Sequence, residues 1–176
     1  MTTREIIGYG GGRESNDTVK ARVFLLTFLK KARSLIKNVD IELHNEYPVY
    51  CPPQYRNEEG RRYQTDIAVI LPGFDQYNFA IEIDGRVGHN FKASNIIGGT
   101  TKDDLRDAWI YKANRLPIFR LKLDWILYWR KNKDYLGCLD ELEHRHRKFA
   151  YDKLPKNPLI HIAKQNKGVF VVENNS

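Results

Sequence analysis

Three carboxylates in two short apolar runs are the residues of this 176-residue chain best placed to do chemistry. Asp66 lies in YQTDIAVIL (63–71), and Glu82 and Asp84 lie in NFAIEID (78–84). Both runs read as strands, because β-branched and aromatic residues dominate them and turn-rich LPGFDQY joins them. Side chains alternate along a strand, so Glu82 and Asp84 share a face while Phe79, Ile81 and Ile83 share the other. An antiparallel hairpin centred near Asp75 pairs Asp66 with Asp84 and Ala68 with Glu82, which gathers three carboxylates on one face. Like charges facing across strands are destabilising, so either their pKa values rise or a cation sits between them. Hard oxygen ligands suit Mg²⁺, with Mn²⁺ as a substitute. The plainer alternative is three solvent-facing acids on a half-exposed sheet. The apolar character of both strands argues against it, since it sets the acids in or beside the core.

Other polar residues fall near this pair of strands in sequence. His89 stands in a stretch (85–100) with four glycines, where it is either a loop histidine or a general acid/base beside the ion. Asp103, Arg106 and Asp107 recur at i, i+3 and i+4, hence on one helix face, as a surface ion-pair cluster or as residues that orient the metal ligands. Lys102 and Lys122 are solvated charges or phosphate contacts. His144 and His146 are two residues apart and do not face each other on a helix, so they read as a basic face rather than a zinc site. Trp109, Trp125 and Trp129 read as packing residues. Cys51 and Cys138 lie in no metal or redox spacing and read as reduced thiols.

The elements that must position these side chains follow from periodicity. Ala21, Phe24, Leu25, Phe28, Leu29, Ala32, Leu35 and Ile36 trace one face of a helix near 17–37, capped by Ser15, Asn16 or Asp17. A strand is expected at 39–44, then a proline-containing loop from 47 to 62 and the two strands above. A helix from Thr101 to about Arg115 stops before Pro117, a strand covers 117–123, and one or two helices occupy 125–150. The order α-β-β-β-α-β-α implies an α/β fold with a central mixed sheet flanked by helices. The expected divisions are a flexible N-terminus (1–16), an α/β core (17–124) and a basic helical C-terminal extension (125–176).

Composition narrows the partner. With 41% hydrophobic and 12% aromatic residues the chain can bury a core and is not disordered. It contains no apolar run near the roughly 20 residues a membrane span needs, and its start lacks a secretory apolar stretch, so a cytoplasmic location is expected. Residues 1–88 hold 12 basic and 12 acidic side chains, whereas residues 89–176 hold 17 and 10, so the net charge of +7 sits in the second half. Such one-sidedness suits a polyanion, nucleic acid before an acidic membrane.

Together the runs YQTDIAVIL, FAIEIDGRVGH and KDDLRDAWIYKANRLPIFRLK resemble the PD-(D/E)XK nuclease superfamily, in its very-short-patch-repair-like branch. The resemblance covers about residues 60–123, roughly a third of the chain. It implies a restriction-endonuclease-like core and Mg²⁺-dependent hydrolysis of DNA phosphodiesters. Asp66 and Glu82 would hold the ion with the Ile83 carbonyl, and Asp84 would bind the ion or a water of its shell. His89 would act beside it, with Asp103, Arg106, Asp107 and Arg120 as supporting positions. Three departures stand out: Asp84 replaces the superfamily's lysine, Thr65 precedes Asp66 where a proline is usual, and the first helix reads DTVKAR where the branch often has a glutamate. The resemblance thereby implies a third role for Lys102 and Lys122, replacement of that catalytic lysine. These departures suit the alternative, a DNA-binding or assembly module of the same fold that has lost cleavage. A protein that only binds other proteins is a more remote alternative. Monomer and homodimer are both open at this stage.

Overall fold

The computed structural model describes residues 15–51, 63–85, 96–97 and 100–172. Helix α1 spans Asn16–Ser34, and the Ser15 side chain caps it by accepting from the Thr18 backbone N–H. Strand β1 covers Glu42–Val49, β2 Tyr63–Ile70 and β3 Phe79–Asp84. Short β4 (Ile96–Ile97) and β5 (Thr100–Thr101) pair with each other ahead of α2, Lys102–Asn114. Strand β6 (Ile118–Lys122) leads into α3 (Leu123–Lys131), α4 (Tyr135–Arg147) and α5 (Pro158–Gln165). The expected α/β class holds. The four main strands form one sheet in the order β1-β2-β3-β6, antiparallel across β1-β2-β3 and parallel at β3-β6.

Alternation divides the sheet's apolar residues between two layers. Ile67, Val69, Phe79, Ile81, Phe119 and Leu121 pack with Phe24, Leu25, Phe28 and Leu29 of α1. Ala68, Ala80 and Ile118 pack with Ile110 of α2 on the opposite face. β3 is paired on both edges, by β2 and β6, and the α1-side and α2-side layers cover its two faces, so Glu82 is buried with its apolar neighbours.

The segment from 125 onward shares the α1-side core. Ile126, Trp129, Leu139, Leu142, Leu159, Ile160, Ala163 and Phe170 belong to the same continuous cluster as α1 and the sheet. Asn157 ties α5 to the β2–β3 turn. Its carbonyl oxygen accepts from the Leu159 and Ile160 backbone N–H groups, and its amide donates to Tyr77 O at 2.9 Å. Asn157 is 4% exposed, so truncation removes a cap and leaves buried backbone groups without partners. Asn157→Ala should therefore lower the unfolding free energy by about 2 kcal/mol in urea titration; an unchanged midpoint would refute this role.

Several expectations need correction. The first strand runs from 42 to 49 rather than 39–44, so Tyr47–Val49 are sheet residues rather than loop. The hairpin register also differs. Ile67 pairs with Ile81 and Val69 with Phe79, and continuing that ladder sets Asp66 opposite Glu82 instead of Asp84. The turn is built from a 3₁₀ segment at Asp75–Tyr77, and the Asn78 side chain accepts from Leu71 N–H at 2.7 Å. That local hydrogen bonding moves the hairpin's centre one residue back and its pairing by two, which leaves every side chain on its expected face. Trp109 is 39% exposed, with the Lys112 ammonium over its ring, so it is not a core residue; Trp129, at 8%, is. Helix α5 falls within the expected helical C-terminal extension, beyond the one or two helices placed at 125–150, because its eight residues carry too short a pattern to be placed individually. Neither Cys51 nor Cys138 is in a disulfide, in line with reduced thiols, and both are buried.

Candidate active site

The carboxylates meet where the antiparallel part of the sheet gives way to the parallel part. Asp66 is on β2, one strand in from the edge strand β1. Its Oδ2 accepts from the Ile83 backbone N–H at 2.7 Å, which takes the place of a ladder bond and holds the carboxylate against β3. Glu82 is 8% exposed, and its carboxyl group hydrogen-bonds that of Asp66. Burial, then the Asp66 charge and this hydrogen bond, push the Glu82 pKa well above the usual carboxylate range. The shift opposes ionisation of Glu82 beside Asp66.

Tyr63 completes the far side of Glu82 by donating its hydroxyl to Oε1 at 2.6 Å. Burial and the Glu82 charge raise the tyrosine's own pKa, so it stays a donor. The Arg106 guanidinium lies 4.5 Å from the centroid of the Tyr63 ring, a cation–π contact that brings α2 onto the site.

Arg120 stands beside Glu82 on β6 and is held by two carboxylates. Its Nε and NH2 donate to Asp107 at 2.6 and 2.8 Å, and its NH1 donates to Asp84 Oδ1 at 2.9 Å. Burial alone would lower the arginine's pKa, but the Asp107 hydrogen bonds and charge outweigh it and raise it instead. Asp107, at 6% exposure, is therefore an internal partner rather than part of a surface cluster. Asp84 keeps its place at the end of β3 but is held by a guanidinium.

One residue that the sequence pattern did not mark also reaches the pair. Arg22 of α1 brings NH2 to 3.8 Å from Asp66 Oδ1, with its side chain only 12% exposed. A second unmarked residue, Glu46 of β1, takes φ of 53°, in the left-handed region. One of its carboxylate oxygens is buried with no hydrogen-bond partner among the described residues. A non-glycine residue in this region is a sign of local strain. It also breaks the strand's alternation: Leu43 joins the α1-side cluster, whereas Tyr47 and Val49 pack on the α2 side. Val49 pairs with Tyr63, so Tyr63 is carried to the α2 side too, where Glu82 is.

The remaining expected positions are scattered. His89 lies outside the described residues, as do the side chains of Lys102 and Asp103. Lys122 is exposed and places its ammonium 4.9 Å from the Trp125 ring centroid. His146 hydrogen-bonds Pro155 O and meets the Phe119 ring edge-on, so its ring is a packing element more than a solvated charge. Exposed Arg130, Lys131, Lys133, Arg147, Lys148, Lys153 and Lys156 give the C-terminal part a basic surface, offset in part where Glu143 pairs with Arg147 and Lys164.

Among the described residues, no group of three or more His, Cys, Asp and Glu side chains is arranged to hold a metal ion. Asp66 and Glu82 nevertheless fit a Mg²⁺ site of the open kind, which needs only one or two carboxylates and completes its shell with water and substrate oxygens. Two carboxyl groups set together in a half-dry place, where ionisation of Glu82 is opposed by burial and by Asp66, are a donor set that a divalent cation would suit. No helix among the described residues is long and apolar enough to cross a membrane. In comparisons with family models, with curated proteins and with solved structures, the chain matches none.

Proposed function

We propose that the chain is a metal-dependent DNA endonuclease of the PD-(D/E)XK kind, hydrolysing phosphodiester bonds with Mg²⁺, for which Mn²⁺ can substitute. The observation that carries this reading is the placement of Asp66 on β2 opposite the buried Glu82 on β3, with the Glu82 pKa raised. Asp66 and Glu82 would hold the ion together with the Ile83 carbonyl. When bound, the ion supplies a water of lowered pKa and offsets charge developing on the phosphate, so no lysine base is strictly needed. Tyr63 orients Glu82 through its hydroxyl, and the Ile83 N–H orients Asp66. Asp84, tied to Arg120, steadies the β3–β6 end of the site. The exposed basic residues of the C-terminal half suit the phosphate backbone.

A second reading has specific support: a DNA-binding or assembly module that keeps the fold without cleavage. Arg22 beside Asp66 and Arg120 on Asp84 already supply positive charge to two of the three expected carboxylate ligands. Incubating the purified chain with supercoiled, branched and mismatched DNA, with and without Mg²⁺ or Mn²⁺, separates the two. The endonuclease reading expects nicked or cut product only with metal; binding without turnover on any substrate, at any metal concentration, would replace it with the second. In either case DNA affinity should fall with salt at a log–log slope of about 0.9 per neutralised phosphate. Charge reversals after residue 89 should weaken binding more than reversals within residues 1–62, and equal effects would make the charge asymmetry incidental.

A further inference from the structure

We propose that Tyr63 sets the ion specificity of this site: by holding one oxygen of Glu82, it makes the site select a small octahedral cation, Mg²⁺ or Mn²⁺, over Ca²⁺. This rests on the two-carboxylate metal site proposed above and adds which ions that site accepts. Each of the two carboxylates has one oxygen engaged by the protein. Asp66 Oδ2 accepts from the Ile83 N–H at 2.7 Å, and Glu82 Oε1 accepts from the Tyr63 hydroxyl at 2.6 Å. Short hydrogen bonds to a carboxylate are among the strong ones, so neither oxygen is readily given over to an ion. The pair therefore offers an ion one oxygen from each carboxylate rather than two.

That difference separates the cations. Mg²⁺ needs only one or two carboxylates and fills its octahedron with water and substrate oxygens. Ca²⁺ is larger, gathers roughly six to eight oxygens and commonly takes both oxygens of a carboxylate. Two single oxygens suit the first ion and leave the second short of donors. Of the two engaged oxygens, that of Glu82 is the one a side chain controls, because the partner of Asp66 is a backbone N–H. The Tyr63 ring is itself held in place. It packs against the α2-side cluster, and the Arg106 guanidinium lies 4.5 Å from its centroid. Tyr63 is thus a positioning residue, acting on the ion through Glu82.

The test uses the full chain without DNA, titrated with Mn²⁺ and with Ca²⁺ in a calorimeter. Wild type should bind Mn²⁺ the more tightly. Tyr63→Phe keeps the ring and removes the hydroxyl, which frees Glu82 to turn both oxygens to an ion. The ratio of Ca²⁺ to Mn²⁺ affinity should then rise about tenfold, the scale of one hydrogen bond to a charged group. Infrared difference spectra give a second readout that needs no variant, because carboxylate stretching bands differ between one-oxygen and two-oxygen coordination. Mn²⁺-loaded wild type should show only the one-oxygen pattern, and Ca²⁺-loaded Tyr63→Phe the two-oxygen pattern. Tighter Ca²⁺ than Mn²⁺ binding by wild type, an unchanged ratio in Tyr63→Phe, or two-oxygen bands in Mn²⁺-loaded wild type would overturn the role of Tyr63 while leaving the metal site standing. A wild-type chain that binds neither ion would overturn the metal site and this inference with it.

Discussion

Glu82→Gln and Asp66→Asn should each reduce metal-dependent cleavage by at least about 10²-fold and at the same time make the metal-free protein more stable at neutral pH. Loss and gain have one cause. The fold forces the two carboxyl groups into hydrogen-bonding contact in a place where Glu82 is 8% exposed, and a bound ion is the group that relieves this without a proton. The sign of the pH effect follows from the direction of the Glu82 shift. Its folded pKa is raised, so the folded state holds this proton more tightly than the unfolded chain does. Below the unfolded value of about 4.3 the proton is bound in both states and nothing is lost. As pH rises from there through the raised folded value, stability falls, and above that value the loss is complete. Glu82→Gln has no such window. Urea titrations of metal-free protein across acidic to neutral pH should therefore show wild type and Glu82→Gln converging at low pH and separating as pH rises. Parallel curves would remove the strained pair from the account. Equal stability in EDTA and Mg²⁺, with no ion detected by calorimetry, would remove the metal.

Arg120→Ala should cost about 3–5 kcal/mol of stability, the range for breaking a buried ion pair by removing one partner. Two carboxylates, Asp84 and Asp107, lose their shared guanidinium, and Asp107 at 6% exposure has little water to replace it. The loss should be smaller for Arg120→Lys, which returns the charge but cannot make the two-pronged contact with Asp107. Because Arg120 sits next to Glu82 in the β3–β6 register, cleavage should fall with stability in both variants. Chemical denaturation measures the first effect, and a DNA cleavage assay kept below the unfolding transition measures the second. An Arg120→Ala protein as stable as wild type would mean that the cluster is solvated and holds nothing in place.

Much of this arrangement was legible from residue order alone. The helix over 16–34, the strands carrying Asp66 and Glu82, and the division of the sheet into two apolar layers follow from periods of 3.6 and 2, which depend only on local geometry. Because the strand period is two, even a hairpin paired two residues out of register left the carboxylates on the correct face. What chain order could not supply was which groups touch. The Asn78 side chain and a 3₁₀ turn set the register, so that Asp66 faces Glu82 and Asp84 turns to Arg120. Tyr63 stands an odd number of positions from Asp66, which by strict alternation puts it on the wrong face. It reaches Glu82 nonetheless, at a point where the neighbouring strand carries Glu46 in the left-handed region and Val49 packs on the same side as Tyr63. Arg22 reads as an ordinary charged position on an amphipathic helix, and only the packing of α1 against the sheet brings it to Asp66. Local patterns determined the elements and their faces, because those answer to forces between near neighbours in sequence. The pairing of charges at the site was decided by the tertiary structure, because it depends on how distant segments settle against one another once their apolar faces are buried.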